Sequence, residues 1–353
     1  LKGETLPTRS HGAVLFADLS GFTKLTSDLS SQLGPQRGAE ELTRQLEPIY
    51  TELIGAVHNY GGSVIDISGD GLTCWFNQDG GKRAASCAVV MQRIMKQYEM
   101  IKISSLSSFY LGIKIAISVG SVQRFLVGDP KIQLLEALAG RELLRVVKAQ
   151  ELIHRGEIAI FEEVFEEIKD KAESVSWRQA EDGERIAVFE SLSELAELHP
   201  WGVVPNLDID VAKKWVFRPI YERIAEGEIE FLTELRLAVP MFVKFSGIDY
   251  DQDEMAGQKL DQFIQSVQGI LARYEGYLCN LTIGDKGSNL YIIFGAPIAH
   301  EDSIDRALAA ALRIKSEIHE LGFIEEIQVG LTHGPVWAGA HGGQTARTYS
   351  AMG

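Results

Sequence analysis

Two stretches decide the reading of this chain: Leu15-Phe16-Ala17-Asp18-Leu19-Ser20-Gly21-Phe22-Thr23 and Gly61-Gly62-Ser63-Val64-Ile65-Asp66-Ile67-Ser68-Gly69-Asp70-Gly71. In each, an apolar strand-like run delivers an aspartate to a turn rich in Ser and Gly. A carboxylate at a strand end is held rigidly yet still reaches solvent. Two such groups brought together can hold Mg²⁺ or Mn²⁺, which take hard oxygen ligands. The glycines let backbone amides approach a phosphate closely. A single Ser-Gly-Phe or Gly-Asp-Gly is a weak signal; both, in this order and about fifty residues apart, are specific.

Outward from these motifs the chain repeats itself. Val14-Leu15-Phe16-Ala17-Asp18-Leu19-Ser20-Gly21 is echoed by Met241-Phe242-Val243-Lys244-Phe245-Ser246-Gly247. An amphipathic helix follows each copy, carried by Leu42, Leu46, Ile49, Leu53 and Val57 and by Leu260, Phe263, Ile264, Val267, Ile270, Leu271 and Tyr274. Hairpins are predicted over 64–76 and 277–294, Ala-rich helices over 84–98 and 304–321, and Gly-terminated strands over 113–120 and 327–334. This order gives an α+β fold of the split βαβ type. The repeat is broken where it matters: Asp18 corresponds to Lys244 and Asp70 to Ser288.

The motif pair resembles the catalytic domain of class III nucleotidyl cyclases. The second copy resembles the second cyclase domain of soluble, bicarbonate-responsive adenylyl cyclases and their bacterial relatives. Phe231-Leu232-Thr233-Glu234-Leu235-Arg236, Gly284-Asp285-Lys286-Gly287-Ser288 and Arg347-Thr348-Tyr349-Ser350-Ala351-Met352-Gly353 carry that likeness. The resemblance implies two cyclase domains pairing within the chain: residues 1–200 on the metal side, a linker over 201–233, and residues 234–353 on the base-recognition side. It implies two ions, Mg²⁺ or Mn²⁺, on Asp18, Asp70 and the Leu19 carbonyl. The nucleotide would meet Ser20, Gly21, Phe22, Thr23 and Gly69, with Arg124 as a triphosphate cation or a surface arginine. By the same alignment Asn280 and Ser350 hold the base-recognising positions, and Lys286 either assists or is a solvated turn lysine. Asn280 and Ser350 are not the family's usual pair, which leaves ATP and GTP both open as substrates.

Other family residues are missing. Leu144 and Lys148 stand where a complete second site has the transition-state Asn and Arg. Their counterparts in the second copy are expected past Gly353, with further C-terminal domains beyond. An activator-pocket lysine of the bicarbonate-responsive enzymes is replaced by Asp66, which is expected to be solvated or paired and to repel bicarbonate. The resemblance therefore implies an adenylyl cyclase. A guanylyl cyclase, or a nucleotide-binding sensor without turnover that regulates downstream domains, is the alternative.

The bulk numbers agree with that class. At 353 residues the chain has room for two domains of roughly 100–200 residues. A net charge of −15, with no Lys/Arg-rich block, argues against a nucleic-acid surface. The three cysteines lie in apolar runs without zinc or disulfide spacing, as in a reducing, cytoplasmic protein. No apolar run approaches the length of a membrane span.

Overall fold

The computed structural model describes residues 9–104, 107–180, 182–201, 208–227, 234–284 and 287–352. Each half is built on one long central strand. In the first half this is Arg9–Ser20, whose Ala13, Val14, Leu15, Ala17 and Leu19 are all buried. A continuous apolar run of this kind suits a strand covered on both faces. It pairs antiparallel with Gly71–Asn77 on one side and with Gly112–Val127 on the other. Ser63–Ser68 closes one edge, and Ile158–Phe161, Arg185–Phe189 and Ser176–Gln179 extend the other. Leu135–Ala139 pairs with the far end of Gly112–Val127.

The second half repeats the plan about Glu234–Ser246, flanked by Gly287–Phe294 and then Tyr277–Gly284. Here the structure departs from the sequence reading. The strand expected at 327–334 ends at Leu331, where Glu326–Leu331 pairs with 241–246, and a further strand, Gly334–Gly342, pairs with 234–238. In the first half one uninterrupted strand, Gly112–Val127, serves both positions.

The periodic helices form as read. Leu42, Leu46, Ile49, Leu53 and Val57 are buried on Pro35–Asn59, and Leu260, Phe263, Ile264, Val267, Ile270 and Leu271 on Ala256–Tyr274. A shorter helix, Phe22–Leu33, precedes the first of these, separated by Gly34 at φ 79°. The segment joining the halves carries short helices at Ile209–Ala212 and Arg218–Ala225. It folds back on the first half, through Trp201 Nε1 to the Gly62 carbonyl (2.7 Å) and Leu134 N to the Lys214 carbonyl (2.6 Å), and reaches the second through Phe217 against Tyr277 and Tyr349.

One apolar core runs through both halves, from Val14, Trp75 and Ala116 to Met241, Val243 and Phe294. Polar ties surround it. The buried Gln268 accepts from Asp129 N and donates to the Gln133 carbonyl, both at 2.8 Å. Trp337 Nε1 donates to Thr43 Oγ1 at 3.1 Å. Such fully bonded polar groups fix the register of an otherwise greasy interface. Among the described residues no helix is long and apolar enough to cross a membrane.

Candidate active site

Asp18 sits near the end of the central strand, with Gly71 opposite it on one neighbour and Lys114 on the other. Asp70 occupies the two-residue turn between Ser63–Ser68 and Gly71–Asn77. The Leu19 amide donates to the Asp70 carbonyl at 3.0 Å, which ties strand end to turn. The two carboxylates line one cavity of about 580 Å³. Burial, then the charge of Asp18, raises the Asp70 carboxyl above its ordinary range. Lys114 Nζ lies 3.5 Å from Asp18 Oδ2 and 3.2 Å from the Gln150 carbonyl.

This donor set fits a hard divalent cation. Two partly buried carboxylates line one cavity, and among the described residues Lys114 is the cation paired with Asp18. Among the described residues no group of three or more His, Cys, Asp or Glu gathers as a metal site. A cation here therefore rests on Asp18, Asp70, backbone oxygen and oxygens of its ligand. Tyr50 braces the turn, its hydroxyl donating to the Gly69 carbonyl at 2.9 Å, and burial beside both aspartates raises its pKa.

Ser20 and Gly21 connect the strand to Phe22–Leu33. Gly21 has φ 94°, and a Cβ there would meet the Tyr110 carbonyl at 2.5 Å, so no other residue fits. The helix has no side-chain cap at its start. The amides of Phe22, Thr23 and Lys24 precede the first intrahelical bond, Leu25 N to Gly21 O (3.1 Å). A 12-residue helix with uncapped leading amides beside the two carboxylates leaves those amides open to anionic oxygen.

Across the cleft stands the second half. A cavity of about 610 Å³ is bounded by Phe22, Ser68 and Gly69 from the first half and by Asn280, Tyr291 and Ser350 from the second. Ser68, Asn280, Thr282 and Asn289 also line the aspartate cavity, so the two spaces are continuous. The distant motifs therefore converge on one cleft between the halves. His341, also on this cavity, is held neutral by burial, its pKa pulled down to about 4.

Two expected groups are otherwise engaged. Arg124 forms an ion pair with Glu136 on the adjacent strand, Nε to Oε1 at 2.7 Å. Arg124 is thus a partly buried, ion-paired residue, and its guanidinium is not free for phosphate. Asn280 is not an unattached base reader: its Nδ2 donates to Asp66 Oδ1 and Oδ2 at 3.0 and 3.3 Å. Lys148, at the place of the missing arginine, pairs with Asp182 at 3.2 Å. Lys286 lies outside the described residues. Lys114 and Tyr50 were missed by the sequence reading. Lys114 did leave a signal, as a lone lysine between Ile113 and Ile115 in an otherwise apolar strand.

The strand order, the carboxylate pair and the open helix start are arranged as in a class III nucleotidyl cyclase domain, and the first half of the chain is similar to that family. Residues 7–170 match the adenylate and guanylate cyclase catalytic domain. Over 97% of its length the chain is 21% identical to adenylate cyclase type 10 of Homo sapiens, and equally to that of Oryctolagus cuniculus. It spans 23% of the length of these relatives. Its fold also matches a class III adenylyl cyclase-like ATP-binding protein from Pseudomonas aeruginosa. That match covers all of this chain and 82% of the other, at a TM-score of 0.57 and 14% identity.

Proposed function

We propose that this chain forms cyclic AMP and pyrophosphate from ATP in the cleft between its two halves. The observation that carries this is the meeting of Asp18 and Asp70 with Asn280 and Ser350 around one continuous space. Asp18, Asp70 and the Leu19 carbonyl would hold Mg²⁺ or Mn²⁺, two ions in all. Bound there, the metal would lower the pKa of the ribose 3′-hydroxyl and offset charge on the pyrophosphate.

The chain's own groups do the rest. The amides of Phe22 and Thr23, with Ser20, Gly21 and Gly69 beside them, take the phosphate oxygens and hold the triphosphate along the helix axis. Lys114 offsets the charge of Asp18 until the nucleotide arrives. Asn280 and Ser350 take the edge of the base, and the width of the cleft sets its distance from the carboxylates. The attack of O3′ on the α-phosphorus then becomes a matter of positioning, and no side-chain nucleophile is needed.

The test is product formation with ATP and with GTP in the presence of Mn²⁺. Cyclic AMP from ATP, lost in Asp18→Ala, is the expected result. The likeness to an ATP-binding protein described only as cyclase-like favours a second reading, nucleotide binding without turnover. Tight Mn²⁺-dependent ATP binding with no cyclic product would establish that one instead.

A further inference from the structure

Asp66 and Asn280 are counterparts in the internal repeat. Val64-Ile65-Asp66-Ile67 matches Leu278-Cys279-Asn280-Leu281 on the equivalent edge strands. In both strands the pairing slips one residue earlier: Val64 faces Cys74 and Asp66 faces Thr73, while Leu278 faces Ile292 and Asn280 faces Tyr291. Each slip is a bulge, which re-aims the side chain that follows it. The two re-aimed side chains meet across the interface, Asn280 Nδ2 to Asp66 Oδ1 at 3.0 Å and to Oδ2 at 3.3 Å.

A carboxylate can only accept hydrogen bonds, so an ionised Asp66 dictates which end of the Asn280 amide faces it. Burial lifts the Asp66 carboxyl to about 6 and the Asn280 donation holds it down, so at neutral pH it is mostly charged. The NH₂ turns to Asp66, and the carbonyl oxygen Oδ1 is left over. Among the described residues no hydrogen bond reaches that oxygen, and Asn280 lines the cavity shared with Ser350.

Resting on the cyclase reading, we propose that Asp66 is a positioning residue for base choice: it fixes the Asn280 amide so that an acceptor faces the base. Adenine offers an amino group at the position where guanine offers a second acceptor, O6. A fixed carbonyl oxygen bonds the first and repels the second. The Ser350 hydroxyl, able to donate or accept, serves the neighbouring ring nitrogen. Removing the charge of Asp66 frees the amide to rotate, and its NH₂ can then meet O6.

The experiment compares wild type, D66N, N280A and the double variant. Equilibrium binding of non-cyclisable ATP and GTP analogues with Mn²⁺ is measured, and product formation separately. The expected wild-type preference for the adenine analogue is about tenfold or more, falling to within about threefold in D66N, mainly by gain of guanine affinity. N280A loses the preference too, and D66N adds nothing to it. D66S replaces D66N if the latter does not fold. An unchanged preference in D66N, or effects of D66N and N280A that simply add, overturns the proposal. So does a wild type that makes both cyclic nucleotides equally well, which leaves the cyclase reading intact. A preference erased by D66N without any cyclic product upholds the proposal and overturns cyclase activity instead.

Discussion

After its Ser-Gly turn the first half winds a helix, and after the matching turn the second half lays down a loop. Both turns need their glycine: Gly21 has φ 94° and Gly247 φ 112°, and a Cβ on the latter would meet the Phe323 carbonyl at 2.3 Å. Beyond them the halves part. Phe22–Leu33 starts at once and leaves its leading amides open. Residues 248–255 instead form turns in which Asp249 Oδ1 accepts from the amides of Asp251 and Gln252, both at 3.0 Å. This loop brings Tyr250 onto Ser288, hydroxyl to Oγ at 2.8 Å, at the position equivalent to Asp70. Lys244 stands for Asp18, and Leu144 and Gly140 close the far wall of a space of about 260 Å³. The same scaffold thus holds one open, acidic cleft and one cleft partly filled by a tyrosine. The segment after the turn distinguishes the two clefts as much as the strand before it.

The comparison is broken most directly at the open cleft. Asp18→Ala and Asp70→Ala should each lower cyclisation roughly a thousandfold or more, since losing a bound metal removes several kcal/mol of transition-state stabilisation. Circular dichroism should show the fold unchanged. Near-wild-type turnover in either variant would falsify the role given to the pair.

The next largest effect concerns stability. Burial raises the Asp66 carboxyl from 3.8 to about 6, so the folded state holds that proton more tightly than the unfolded chain. The resulting stability is complete below about pH 4 and is lost as pH rises through about 6. Asp66→Asn, neutral throughout, should therefore stabilise the protein at pH 8 by roughly 2–3 kcal/mol and leave it unchanged at pH 4. Urea unfolding at the two pH values measures this; an equal shift at both would mean that the charge is not the cause.

A smaller effect is expected at Lys114. Lys114→Met leaves the aspartates without their counterion and should cost about 1 kcal/mol, a few degrees in Tm, in metal-free protein. Saturating Mn²⁺ should restore the loss. A Tm deficit that persists at high Mn²⁺ would make Lys114 a packing residue.

The smallest effect is none. Lys244→Asp with Ser288→Asp supplies the second half with both carboxylates, yet Tyr250 still sits on position 288 and Leu144 still lines the facing wall. Titration calorimetry should count the same number of Mn²⁺ ions as in wild type, with no added cyclase activity. Extra ions bound together with a higher rate would mean that the loop opens readily.

The sequence carried the repeat, the helices and the aspartate pair because each is local. Buried faces recur at intervals of three and four residues from Leu42 to Val57, and a strand buried on both faces reads as an apolar run from Ala13 to Ala17 that ends at Asp18. The engagement of Arg124 was not legible, because its partner Glu136 lies on a strand whose pairing depends on the hairpin geometry between them. The end at Leu331 of the strand expected at 327–334 was hidden as well, since nothing in its apolar pattern marks the change of partner segment along Glu234–Ser246.

The aspartates, the two glycine turns and the loss of both carboxylates from the second copy were fixed by residue identity and spacing, which fold and chemistry inherit directly. Tertiary structure alone decided that Asp66 would meet Asn280, that Lys114 would sit by Asp18 and that Tyr250 would occupy the other cleft. These contacts join residues from 38 to 214 positions apart. Their distances are set by bulges, strand register and the packing of one half on the other, and no local pattern encodes those.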